Sequence, residues 1–134
     1  MRVVTFRRLC LVGTVLAFCV IVLGAYVRLS HAGLGCPDWP GCYGHLTVGE
    51  AIENAHIANQ QYPDRPLEAD KAVKEMVHRY LAATLGLVII AVAAYAWTNR
   101  RNPQQPVWLP VALVALVVLQ GPVSYTHLTL PTKA

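Results

Sequence analysis

The chain has 134 residues, of which 55% are hydrophobic and 13% charged, and its formal net charge is +4. Soluble domains carry about 25% charged residues, so an ordinary water-soluble globule is excluded. The charge deficit sits in long apolar runs of the kind that cross bilayers. The positive balance is not a nucleic-acid signal. Basic residues cluster at the ends of the apolar runs, as membrane topology requires, and the interleaved aromatics of a base-stacking surface are missing. Membrane lipid is therefore an expected partner, and nucleic acid is not.

Arg2, Arg7 and Arg8 precede an apolar stretch over residues 9–27 that contains no charge. That is long enough to span about 30 Å of hydrocarbon. A cleaved signal peptide is the rival reading, since Ser30-His31-Ala32 offers small residues at a plausible cleavage site. The apolar run is long for a signal peptide, however, and Arg28 follows it directly. Cys10 and Cys19 lie inside the span and read as small buried hydrophobes. A second pair of basic residues, Arg100 and Arg101, follows the apolar run that ends at Trp97. Positive residues favour the cytoplasmic side, so residues 29–74 are expected outside, in the periplasm of a Gram-negative cell.

This loop opens with Gly33-Leu34-Gly35-Cys36-Pro37-Asp38-Trp39-Pro40-Gly41-Cys42, whose glycines and prolines predict a tight non-helical turn. Outside the cytoplasm a disulfide is permitted, and closing so short a loop stabilises by about 2 kcal/mol in the chain-entropy model. Three roles stay open for Cys36 and Cys42: a structural staple, a redox-active thiol pair, or zinc ligation with His31 and His45, whose spacing matches a closed zinc site poorly. Thr47-Val48-Gly49-Glu50 has the capping-box pattern. Val48, Ile52, Ala55 and Tyr62 follow at helical spacing, predicting one short amphipathic helix on the membrane surface that ends before Pro63. His56 within it reads as a solvated or interfacial residue. Asp64-Arg65-Pro66 predicts a new helix start with proline, Glu68 and Asp70 in the first turn, running unbroken into the membrane.

Within that helix lies Glu75-Met76-Val77-His78-Arg79-Tyr80. Glu75 and His78 are three residues apart and share a face, while Arg79 stands about 100° further round. Below His78, steps of four reach Ala82 and Gly86. A ligating nitrogen above a strip of small residues suits a flat, broad cofactor, and it equally suits close packing of another helix. The span over about 80–97 leads through a short cytoplasmic turn to a third apolar run over 106–121. After Gly121 the sequence changes character. Val123-Ser124-Tyr125-Thr126-His127-Leu128-Thr129-Leu130-Pro131-Thr132 is polar and β-prone, and resembles a translated sequencing adapter. Residues 122–134 are therefore expected to be non-native and are set aside with His127, a natural tail being the alternative.

Gly24-Ala25-Tyr26-Val27-Arg28-Leu29-Ser30, followed by Ala32-Gly33-Leu34-Gly35-Cys36-Pro37-Asp38-Trp39-Pro40-Gly41-Cys42-Tyr43-Gly44, resembles the start of heme A synthase. Glu75-Met76-Val77-His78-Arg79 resembles that family's Glu-x-x-His-Arg motif, and Leu119-Gln120-Gly121 the beginning of its third-helix motif. The resemblance covers residues 8–121. It implies an all-α integral membrane fold, a helical bundle of eight helices in two four-helix halves, of which this chain is an N-terminal fragment lacking the second histidine of its half. It implies that the intact protein is an oxidoreductase of the bacterial inner membrane that oxidises the heme O methyl group to formyl for cytochrome c oxidase assembly. It further implies a heme b cofactor and heme O as substrate, His78 as heme-iron ligand, Glu75 as the functional carboxylate, and Cys36 and Cys42 as the outer-loop pair. Arg28 and Arg79 lie at the outer interface, where heme propionates or lipid headgroups are expected. Heme O synthase and cytochrome oxidase assembly factors are expected partners, with a homo-oligomer open. The fragment alone is expected to be inactive. Two other classes stand beside this reading: a membrane thiol oxidoreductase built on Cys36 and Cys42, and a noncatalytic heme-binding assembly protein.

Overall fold

A computed structural model describes the backbone of residues 2–129 and the side chains of residues 3–121. Five helices follow one another: α1 (Arg2–Leu29), α2 (Val48–Glu53), α3 (Ala55–Gln61), α4 (Ala69–Thr98) and α5 (Trp108–Thr129). No strand occurs among the described residues, only an isolated bridge between Cys42 and His45. At 1.5 Å per residue, α1 and α4 are each over 40 Å long, more than a bilayer core requires. Their apolar windows have mean hydropathies of 2.5 and 2.0, and only 6% and 11% of each window is buried. A core helix of a soluble protein would be covered; these present Leu11, Phe18, Ile21, Leu87 and Ile90 outward.

Three boundaries differ from the sequence expectation. The amphipathic segment after Thr47 is two helices, broken at Asn54. Its φ of −103° and ψ of 27° leave the helical region, and its side-chain amide donates to the Glu50 carbonyl at 2.9 Å. Asparagine offers the backbone such local alternatives, which hydrophobic periodicity does not reveal. Helix α4 starts at Ala69, not at Asp64-Pro66, because the Leu67 N–H is drawn to Asn59 Oδ1 at 2.7 Å. The first turn therefore contains Asp70 but neither Pro66 nor Glu68. Helix α5 starts with Pro110 in its first turn, where a missing N–H is harmless. Its apolar stretch is Trp108–Gly121, and its backbone stays helical through Thr129; Leu130 to Ala134 lie outside the described residues.

The chain forms two compact units, Val20–Leu81 and the segments before and after it. In the flanking unit, Phe6 and Tyr95 stack at 6.4 Å, and Val92 and Ala96 are buried. A side chain at Gly13 would only reach ordinary contact with Val88.

The unit Val20–Leu81 carries the polar loop. Its core is Cys36, Cys42, Tyr43, Ala51, Ala58, Ala72 and Met76, with Val48, Tyr62 and Leu67 packed against it. Alanines let the backbones approach, and flexible Met76 fills the remaining gap at 1% exposure. Helix α1 enters this unit and stops in a Schellman turn. The Ala32 N–H bonds the Val27 carbonyl at 3.0 Å and the His31 N–H the Arg28 carbonyl at 3.2 Å. His31 takes the left-handed conformation, with φ of 52°, where glycine is usual.

Candidate functional site

The loop from Cys36 to His45 is closed twice. Cys36 and Cys42 form a disulfide, so neither sulfur is a free thiolate for zinc. Beyond it the Cys42 N–H donates to the His45 carbonyl at 2.8 Å and the His45 N–H returns to the Cys42 carbonyl at 3.1 Å. Between them Tyr43 and Gly44 have φ of 52° and 79°, the pattern of a type I′ hairpin turn. Asp38 supports the turn from within the disulfide ring. Its Oδ1 accepts from the Tyr43 N–H at 2.6 Å and its Oδ2 from the Gly44 N–H at 2.9 Å. The Tyr43 ring meets Tyr62 edge-on at 5.5 Å and its hydroxyl donates to the Arg65 carbonyl at 3.0 Å. Burial pushes the Tyr43 phenol above its ordinary value.

Helix α4 holds this loop with one turn of side chains. Glu75, 6% exposed, accepts the Cys36 N–H on Oε2 at 3.0 Å. Its Oε1 pairs with the Arg79 guanidinium. Arg79 also donates through Nη1 to the carbonyls of Asp38 at 2.9 Å and Gly41 at 2.7 Å. The two residues thus grip both ends of the disulfide ring. Hydrogen bonds that involve a charged group contribute about 1.5–3 kcal/mol each, so this clamp outweighs an exposed surface ion pair. One turn earlier, Gly35 lies directly on α4: a Cβ there would stand 2.8 Å from the Lys71 carbonyl carbon and 3.0 Å from the Ala72 nitrogen. Tyr80 adds a hydroxyl bond to the Leu46 carbonyl at 2.6 Å.

His78 faces elsewhere. Its partly buried ring lies against α1 at Gly24, where a Cβ would stand 2.8 Å from Cε1, 3.4 Å from Nε2 and 3.5 Å from Nδ1. His78 Nδ1 is buried without a hydrogen-bond partner. Helical spacing places Glu75 and His78 on one face, yet the carboxylate oxygens go to the loop and to Arg79 while the imidazole goes to α1. Arg28 is exposed in the last turn of α1, where its charge complements the helix dipole. His45 Nδ1 comes within 3.8 Å of Glu50. Among the described residues no group of three or more His, Cys, Asp or Glu is arranged to hold a metal ion.

Sequence reasoning passed over Asp38 and Gly24. The first could have been suspected from an acid placed between two cysteines and ahead of Tyr-Gly, since such a carboxylate serves a following turn. The second carries no local signal, because its partner is on another helix.

The helical architecture of the described residues, with two mostly uncovered apolar helices joined by a structured polar loop, defines a helical integral membrane protein. The chain belongs to the cytochrome oxidase assembly protein family (COX15-CtaA), whose model matches residues 7–126. It is 43% identical over 122 residues to the heme A synthase of Shewanella oneidensis, covering 90% of this chain and 35% of that protein. It is 31% identical over 122 residues to the heme A synthase of Rhizorhabdus wittichii, covering 83% of this chain and 35% of the relative. It is 33% identical over 119 residues to that of Novosphingobium aromaticivorans, covering 79% and 34%. The chain thus spans about a third of the length of these relatives. No solved structure matches it significantly.

Proposed function

We propose that this chain is part of a heme A synthase, an inner-membrane oxidoreductase that converts the methyl group of heme O to a formyl group for cytochrome c oxidase assembly. In this reading the polar loop is periplasmic and His78 would hold the iron of a heme. The observation that carries it is the imidazole of His78, whose buried Nδ1 lacks a partner and whose ring edge rests on bare backbone at Gly24. An orphaned buried polar atom calls for an explanation, and a histidine kept free of competing hydrogen bonds so that its ring would hold heme iron provides one. When bound, the heme supplies the iron chemistry; this chain supplies its position.

Glu75 and Arg79 do that positioning. Both carboxylate oxygens of Glu75 are already engaged, by Cys36 and by Arg79, so Glu75 acts through the loop and is a positioning residue. Arg79 is likewise committed to Asp38, Gly41 and Glu75. That leaves exposed Arg28 as the cation for a propionate or a lipid phosphate. The disulfide holds the loop that covers this turn. Cys42 is 0% and Cys36 5% exposed, which shields both sulfurs from an attacking thiolate and favours a staple over a thiol oxidoreductase. Heme O synthase and oxidase assembly factors are the partners this reading expects.

The test uses the Shewanella oneidensis heme A synthase with residues 7–121 of this chain in place of its matching segment, expressed in cells lacking their own enzyme. Extracted hemes should contain heme A with the native segment and only heme O with His78→Ala. Undiminished heme A with His78→Ala overturns the reading. Heme-loaded chimera that yields no heme A in either form indicates a noncatalytic heme carrier.

A further inference from the structure

We propose that Gly24 is a positioning residue for His78: the missing side chain on α1 fixes the plane and depth at which the imidazole presents its nitrogen. The proposal rests on His78 being the ligand.

Histidines that bind metals almost always donate their second nitrogen to a carboxylate, carbonyl or water, and that bond sets the ring's rotation. Among the described residues His78 has no such restraint: Nδ1 is buried and unpartnered. Its one acidic neighbour on the same helical turn, Glu75, is committed to Cys36 and Arg79. Among the described residues, packing orients the ring. One wall is the α1 backbone at Gly24, faced by the Nδ1–Cε1–Nε2 edge of the imidazole. A methyl group there would lie 2.8 Å from Cε1, a separation that real Cβ atoms do not tolerate, so the ring would have to rotate or withdraw. Glycine in a helix interior is unfavourable by roughly 1 kcal/mol relative to alanine. A glycine facing the edge of a histidine is thus explained by the space it leaves.

Gly13, on the same helix, makes the control. A Cβ there meets Val88 at 3.4 Å, ordinary van der Waals contact, so Gly13→Ala changes helix propensity without touching the imidazole.

The experiment compares the purified 134-residue chain in detergent micelles with its Gly24→Ala, Gly13→Ala and His78→Ala versions. Hemin is the titrant, and its Soret band is the readout. In parallel, proton NMR of the unsubstituted chain is examined for a nuclear Overhauser contact between His78 Hε1 and Gly24 Hα. The expected results are that contact, a Soret shift lost in His78→Ala and retained in Gly13→Ala, and a hemin affinity about tenfold to a hundredfold weaker in Gly24→Ala, the range for residues behind a metal ligand. A displaced His78 Hε1 resonance should accompany the Gly24→Ala loss. If Gly24→Ala binds hemin as the unsubstituted chain does, the positioning role is overturned while His78 stands. If His78→Ala binds hemin as the unsubstituted chain does, the ligand reading itself falls. If Gly24→Ala does not fold, the Overhauser contact in the unsubstituted chain decides, and its absence overturns the proposal.

Discussion

Arg79 makes three contacts that no neighbouring residue could replace: to the Asp38 carbonyl, the Gly41 carbonyl and the Glu75 carboxylate. Removing it strands a buried carboxylate, and breaking a buried pair from one side typically destabilises by about 3 kcal/mol or more. Arg79→Ala should therefore lower the thermal midpoint of the detergent-solubilised chain sharply and speed reduction of the Cys36–Cys42 bond by dithiothreitol. Glu75→Gln keeps a carbonyl oxygen for the Cys36 N–H and should lose less. Equal effects of the two substitutions would contradict the clamp. Tyr43 gives a pH signature in the same loop. Its folded-state phenol is pushed up by burial, so above the ordinary value near pH 10 the unfolded chain loses that proton first. The contribution of Tyr43 is complete below that pH and is lost as pH rises toward the folded value. Thermal midpoints measured from pH 8 upward should fall on the alkaline side, and Tyr43→Phe should flatten that limb while forfeiting about 1 kcal/mol for the bond to Arg65. The shared face of Glu75 and His78 was legible because helical spacing depends only on sequence separation. That Glu75 turns to Arg79 and Cys36 was not, because it depends on where a loop about forty residues earlier comes to rest.

At the scale of elements, the two long helices and the Thr47 cap could be read directly. Continuous apolar runs and a Thr-x-x-Glu pattern are local signals, and Thr47 Oγ1 does accept the Glu50 N–H at 3.4 Å. The break at Asn54 and the late start of α4 were not legible. Each follows from an asparagine side chain competing for a backbone group, one local and one reaching to Leu67. The loop's tightness was visible in its glycines and prolines. The Cys36–Cys42 disulfide was expected from two cysteines in a short loop outside the cytoplasm, and the fold brings them to a Cα separation of 4.9 Å, within disulfide range. Alkylation followed by mass spectrometry checks this element: of the four cysteines, Cys10 and Cys19 are free. Under denaturing, non-reducing conditions two should be labelled, and after reduction all four. Four labelled before reduction would remove the staple.

The whole molecule combines a structured polar loop unit with two long apolar helices. Its loop unit has a buried core of its own, while α1 and α4 leave most of their apolar surface uncovered, as membrane helices do toward lipid and neighbouring helices. Membrane class was thus legible in composition and family in the loop and α4 motifs, whereas the ring contact at Gly24 emerged only when α1 and α4 were seen together. The central claim concerns one imidazole, and the most direct test is the optical spectrum of the purified, heme-loaded Shewanella oneidensis chimera with and without His78→Ala. The substituted protein should reach the membrane in equal amount but lose the sharp low-spin bands attributable to the site in this segment. Identical bands in both proteins would contradict the account.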